Sequence, residues 1–190
     1  GTLANGADNT ADFSTLNLTA NRTVTLDGPR TIGNLIFGDT TPSNNWTLSP
    51  GTRDPLTLDV SSGTPTITVN NQTATIGLVL TGTKGLIKAG SGTLSFSGAH
   101  TYVGQTTVNA GTLSFASGGR VGLTPLVVNN GGTLDFNGGA SSDPFRAGST
   151  PITVNTGGTM RVLANDAAGY YYEPTLTLSG GTLNVGTYYQ

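Results

Sequence analysis

The chain has 190 residues, including 29 Gly and 9 Pro but no Cys. Only 9% of them are charged, against about 25% in an ordinary globular domain. A net charge of −2 gives no basic footprint for nucleic acid, the missing Cys excludes disulfides and most structural zinc sites, and no run approaches the roughly 18 apolar residues of a membrane helix.

About 34 Thr, with abundant Gly, Ser and Asn, disfavour helix and favour short strands. In chain order the first half predicts strands at Phe13–Leu18, Thr23–Leu26, Leu35–Phe37, Trp46–Leu48, Leu56–Val60, Thr66–Val69 and Ala74–Leu80. Turn signals separate them, among them Asp27-Gly28-Pro29, Ser49-Pro50-Gly51 and Ser61-Ser62-Gly63.

From about residue 81 the pattern becomes a repeat. Gly-Thr-Leu, once Gly-Thr-Met, begins at Gly92, Gly111, Gly132, Gly158 and Gly181, at intervals of about 19 to 26 residues. That spacing is the mark of a solenoid. Longer units surround the motif, such as PLVVNNGGTLDF from Pro125, PITVNTGGTMRV from Pro151 and PTLTLSGGTLNV from Pro174. Each reads as strand, tight bend, strand. Alternation of period two points Leu94 and Phe96, Leu113 and Phe115, Leu134 and Phe136, Met160 and Val162, and Leu183 and Val185 inward from the second strand. From the first strand it points Leu126 and Val128, Ile152 and Val154, and Leu176 and Leu178 inward.

The two strands of a unit could pair with each other as a hairpin, or each could pair with its counterpart in the next unit. The repeat favours the second arrangement, because like side chains then stack at about 4.8 Å. Leu113, Leu134 and Met160 should share one buried file, and Asn109, Asn129 and Asn155 at equivalent bends should form an amide ladder. The predicted fold is all-β: a single right-handed parallel β-helix over residues 1–190, with looser coils over 1–80 and regular ones over 81–190. It holds roughly eight rungs in a rod near 40 Å long, at about 4.8 Å each.

Residues 85–115, GLIKAGSGTLSFSGAHTYVGQTTVNAGTLSF, resemble the autotransporter-associated β-strand repeat, or passenger-associated transport repeat. The family pattern is G-L-x-K-x-G-x-G-T-L-x-L-x-G-x-N-x-Y-x-G-x-T-x-V-x-x-G-x-L. His100 departs from it, standing where the family has Asn. The resemblance implies a β-helix at the bacterial surface or in the secreted fraction. It carries no catalytic residue, so none is transferred.

Other chemistry is weighed against that reading. β-Helices include polysaccharide-cleaving enzymes, which need two carboxyls about 5–9.5 Å apart. The acids are Asp8, Asp12, Asp27, Asp39, Asp54, Asp59, Asp135, Asp143, Asp166 and Glu173. Asp27, Asp39, Asp54 and Asp143 lie at turns, where Asp is routine. Asp135 and Arg161 occupy one outward column and predict a surface ion pair across rungs. His100 is the only His and is expected to be a solvated turn residue. Asn165, Asp166 and Glu173 are the best calcium set, but the calcium nonapeptide is absent. No cofactor, metal or catalytic group is expected.

Tyr170, Tyr171 and Tyr172, with Tyr188 and Tyr189, are the candidate contact residues for a protein or a sugar. A Thr column through Thr93, Thr112, Thr133, Thr159 and Thr182 is flanked by charge, which spoils it as an ice-binding face. Four Asn-x-Thr triplets, at Asn17, Asn21, Asn45 and Asn71, are about what chance gives in so Thr-rich a chain.

There is no initiator Met or signal peptide, which predicts a processed product or an excerpt. No capping helix is visible, so neighbouring repeats or further copies are expected to continue the stack. The expected role is a non-catalytic stalk, fibre or adhesin segment outside the cell, with no nucleic-acid partner. The alternative is a β-helix that binds or degrades carbohydrate, possessing a surface polysaccharide as partner.

Overall fold

A computed structural model describes residues 4–51, 55–122, 124–136, 151–162 and 175–185. These contain eighteen strands and no helix. The first eight are β1 (Gly6–Asp12), β2 (Arg22–Thr25), β3 (Arg30–Phe37), β4 (Trp46–Ser49), β5 (Leu56–Leu58), β6 (Thr66–Val69), β7 (Thr73–Ile76) and β8 (Leu80–Thr81). The next six are β9 (Leu86–Ala89), β10 (Thr93–Phe96), β11 (Thr106–Val108), β12 (Gly111–Phe115), β13 (Leu126–Val128) and β14 (Gly132–Phe136). The last four are β15 (Ile152–Asn155), β16 (Thr159–Val162), β17 (Leu176–Ser179) and β18 (Thr182–Val185).

Every strand pair is parallel, and no strand pairs with its neighbour in sequence. One sheet runs β18-β16-β14-β12-β10-β7-β4-β2, and the other runs β17-β15-β13-β11-β9-β6-β3 and onward through β5 and β8. The chain is a β-solenoid. Leu113 is opposite Leu134, and Leu134 is opposite Met160, all in one file and 0–5% exposed. Beside it Phe96 meets Phe115 edge-on and Phe115 stacks on Phe136, with ring centroids 5.8 and 5.3 Å apart. Each fully buried Leu or Phe is worth about 1.5–3 kcal/mol, so the files form the core that the thin apolar content of the sequence allows.

The bend before each Gly-Thr-Leu explains its Gly. A Cβ on Gly158 would lie 2.7 Å from the Val128 carbonyl oxygen of the coil beneath, and one on Gly181 would lie 2.6 Å from that of Val154. Only Gly allows successive corners to approach this closely.

The first half carries a third face. β3 turns a corner at Gly33: Arg30–Ile32 pairs with β5, while Asn34–Phe37 pairs with β6. A Cβ at Gly33 would meet the Asp8 backbone at 2.7 Å. The third ladder continues from β5 to β8, and Thr101 N–H donates to Leu80 O at 2.9 Å.

Three strand expectations need correction. Phe13–Leu18 is not a strand; the first strand is Gly6–Asp12, and Leu18 N–H donates to the Asp39 carboxylate instead of to a ladder. Ala74–Leu80 is two strands, because the corner at Gly77 separates β7 from β8. Leu56–Val60 ends as a strand at Leu58.

Candidate functional site

The described carboxylates all hold the scaffold. Asp39, 2% exposed, sits between β3 and β4 and accepts hydrogen bonds from the backbone N–H groups of Leu18, Thr41, Ser43 and Asn44. Those donors, the Leu18 N–H first, hold its pKa below the usual Asp value. Asp27 is lowered by its hydrogen bond from Arg30, 2.7 Å away, and Asp8 by the Ser61 N–H that donates to it. Asp12 accepts from Ser14, and Asp59 pairs with Lys84 at 3.3 Å. Among the described residues no three His or acidic side chains converge as a metal site.

Asp135 and Arg161 do meet, at 2.6 Å across β14 and β16. The pair is less solvated than the sequence suggests: Asp135 is 6% exposed, and its Oδ1 and Arg161 Nε have no hydrogen-bond partner. Asp54, Asp143, Asp166, Glu173 and Asn165 lie outside the described residues, as do Tyr170, Tyr171, Tyr172, Tyr188 and Tyr189.

The coil from β9 to β11 hides polar groups in its interior. Lys88 takes the inward place between Ile67 and Val108 and is fully buried. Its Nζ donates to the carbonyls of Ala89, Gly90 and Ala110 at 2.7, 2.8 and 3.0 Å. Burial pushes its pKa down to about 8, yet three acceptors match the three protons of an ammonium, so it is charged at pH 7. The sequence signal for it was the period of two: Leu86 and Lys88 share a parity.

His100 corrects the expectation of a solvated turn residue. It is 2% exposed, its ring centroid lies 4.1 Å from that of Phe96, and its Nδ1 accepts the Leu80 N–H at 3.2 Å. Nδ1 therefore satisfies the backbone of the coil beneath, and the proton sits on Nε2, which has no partner. Burial drives its pKa down to about 3. Tyr102, also fully buried, shares a 2.7 Å hydrogen bond with Thr106, and burial raises its pKa.

Outside, the side chains form files. Asn129 Nδ2 donates to Asn109 Oδ1, and Asn155 Nδ2 to Asn129 Oδ1, each at 2.8 Å. The Thr column runs in register from Thr73 through Thr93, Thr112, Thr133 and Thr159 to Thr182.

The two ends of the stack differ. At β17 and β18 the inward places are uncovered: Leu178 is 47%, Leu183 37% and Val185 56% exposed. At β1 and β2 an apolar pit of about 530 Å3 opens between Ala11, Phe13, Val24 and Leu26, with Leu35 and Leu48 of the next coil also lining it. Arg22, exposed, stands opposite Trp46 at the head of the inward file.

Residues 86–115 match the family model described as the passenger-associated-transport-repeat. Over 118 residues, 61% of this chain, the sequence is 41% identical to the Adhesin BmaC autotransporter of Brucella suis biovar 1 (strain 1330). The matched stretch is 3% of that adhesin's length. No solved structure matches. The chain thus carries a passenger-associated transport repeat, built as the coil that begins at β9, and resembles a short stretch of an autotransporter adhesin.

Proposed function

We propose that this chain is a non-catalytic segment of the β-solenoid passenger of a bacterial surface or secreted adhesin. One continuous rod over residues 1–190 would be extended by a further coil of the same polypeptide stacked on β17 and β18. The observation that carries this reading is the exposure of Leu178, Leu183 and Val185. The places equivalent to Leu178 and Leu183 one and two coils earlier, Val154, Met160, Val128 and Leu134, are 0–5% exposed, while Val162, opposite Val185, is half-buried. A strand edge and an apolar cross-section left open are normally covered in native solenoids. The adhesin relative, far longer than this chain, supports a source for that coil.

The rod would serve as a stiff spacer whose loops make contact. Tyr170, Tyr171 and Tyr172 fall between β16 and β17 in the chain, and we place partner contact there, through protein or surface polysaccharide. The test is hydrogen exchange on this chain alone and on the same chain lengthened by the residues that follow it in the native protein. Amides of 176–185 should exchange quickly in the first and be protected in the second. Equal protection in both would overturn the proposed continuation.

A further inference from the structure

We propose that the N-terminal end of the stack docks one extended strand that reads carboxylate, any residue, large apolar residue, and that Arg22 imposes this choice. The strand would come from a preceding coil of the same polypeptide. That source rests on the reading of the chain as a segment of a longer passenger; the selectivity rests on the end itself.

β1 and β2 are the last strands of their sheets at this end, paired on one side only, with β3 and β4. The N–H groups of Arg22 and Leu26 donate to Asn45 O and Ser49 O of the next coil. Alternation therefore turns the N–H and C=O of Thr23 and Thr25 to the free edge. Inside that edge lies the pit of about 530 Å3 between Ala11, Phe13, Val24 and Leu26. A strand added in parallel to β2 would set two inward places, two residues apart, against Arg22 and Val24.

Arg22 decides what the first place accepts. It stands opposite Trp46, at an inward place, so an added strand would cover it. It is exposed, and among the described residues its side chain has no hydrogen bond or ion pair. The other charges at the pit are engaged: Arg30 donates to Asp27 at 2.7 Å, and Asp12 accepts from Ser14 at 2.7 Å. Covering Arg22 with an apolar side chain would leave a desolvated cation unpaired, whereas a carboxylate would pair it. An inward charge at a sheet edge also turns away the wrong strand. That strand is β18 of a second copy. Arg22 and Leu183 are the two ends of one inward file, and Val24 and Val185 of the next. A second copy would thus bring Val185 to the pit but Leu183 to Arg22.

Trp46 is the chain's single Trp, so its fluorescence reads this end and not the one at β18. The full chain is titrated with two peptides of its own residues 175–185, one unchanged and one carrying Leu183→Glu. The Leu183→Glu peptide should shift Trp46 fluorescence saturably and bind at least about tenfold more tightly than the unchanged one. It should also slow hydrogen exchange at Thr23 and Thr25. Arg22→Met should erase that preference; with no partner to lose, it should melt as the parent chain does. Equal affinities, a preference that survives Arg22→Met, or no protection of Thr23 and Thr25 would overturn the docking site. The chain lengthened by the residues that precede it in the native protein should protect the same two amides. Fast exchange there would overturn the preceding coil as the source, while failure of the C-terminal continuation is read separately, at 176–185.

Discussion

Asn129 holds Asn109 below it and Asn155 above it, donating to the first and accepting from the second at 2.8 Å each. Its substitution separates the two bonds. Asn129→Ala loses both and should cost about 1–3 kcal/mol, at about 0.5–1.5 kcal/mol per bond. Asn129→Asp keeps the acceptor for Asn155 but loses the donor to Asn109, so it should cost less at neutral pH. Urea midpoints of the three proteins check the order; equal midpoints would show that the ladder is geometry without energy.

Lys88 offers a sharper case. Lys88→Met keeps length and apolar bulk but leaves the carbonyls of Ala89, Gly90 and Ala110 without their ammonium donor. Each buried acceptor left so costs about 1–3 kcal/mol, and we expect a loss of several kcal/mol at pH 7. The pH dependence has a definite sign. The folded pKa, about 8, lies below the ordinary lysine value of 10.5. Between those values the unfolded chain binds a proton that the folded chain does not. Stability should therefore rise with pH across that window, by up to about 1.4 kcal/mol per unit, and be flat with respect to Lys88 below it. The difference between the parent chain and Lys88→Met isolates this effect, since every other group titrates in both. A difference that does not change between pH 8 and 10.5 would contradict it.

His100 should act at the other end of the scale. Its folded pKa of about 3 lies below the ordinary histidine value of 6.5. The unfolded chain takes up a proton as pH falls through 6.5 while the buried ring does not. Stability is then full above 6.5 and drains away toward pH 3, at up to about 1.4 kcal/mol per unit. His100→Asn removes the titration and should keep an acceptor for the Leu80 N–H. Unfolding at pH 7 and pH 4.5 should show a smaller acid loss in the variant; equal losses would mean that the ring is not kept neutral.

The regular half of the fold was legible because its repeats align themselves. Once Gly132-Thr133-Leu134 is set over Gly158-Thr159-Met160, register, core and corner follow together. The first half has no such internal ruler. FSTLNL alternates like a strand, yet the carboxylate of Asp39, 21 residues beyond Leu18, claims the Leu18 N–H. β1, sequence GADNTAD, has few good strand formers and exists because β3 pairs with it. Local pattern could not supply either fact. The hidden polar groups failed to show for a different reason. Lys is almost never fully buried unless paired, so parity with Leu86 alone did not single out Lys88, and alignment with Ile67, Val108 and the Leu80 N–H is what shows Lys88 and His100 pointing inward.

Asp39 supplies the last test. Its carboxylate gathers the N–H groups of Leu18, Thr41, Ser43 and Asn44, while Asn71 holds its backbone from the coil above. Asp39→Ala removes the acceptor from all four donors at once and frees the buried Leu18. Hydrogen exchange at Leu18, Thr41 and Ser43 should accelerate by about tenfold or more, as expected for local opening, while β10, β12 and β14 keep their protection. Asp39→Asn retains one acceptor oxygen and should lie between the two. Because donation lowers the Asp39 pKa, its contribution is present above the ordinary Asp value of 3.8 and is lost as pH falls through the lower folded value. Exchange that spreads to β12 in Asp39→Ala would show instead that the loop and the rod unfold as one unit.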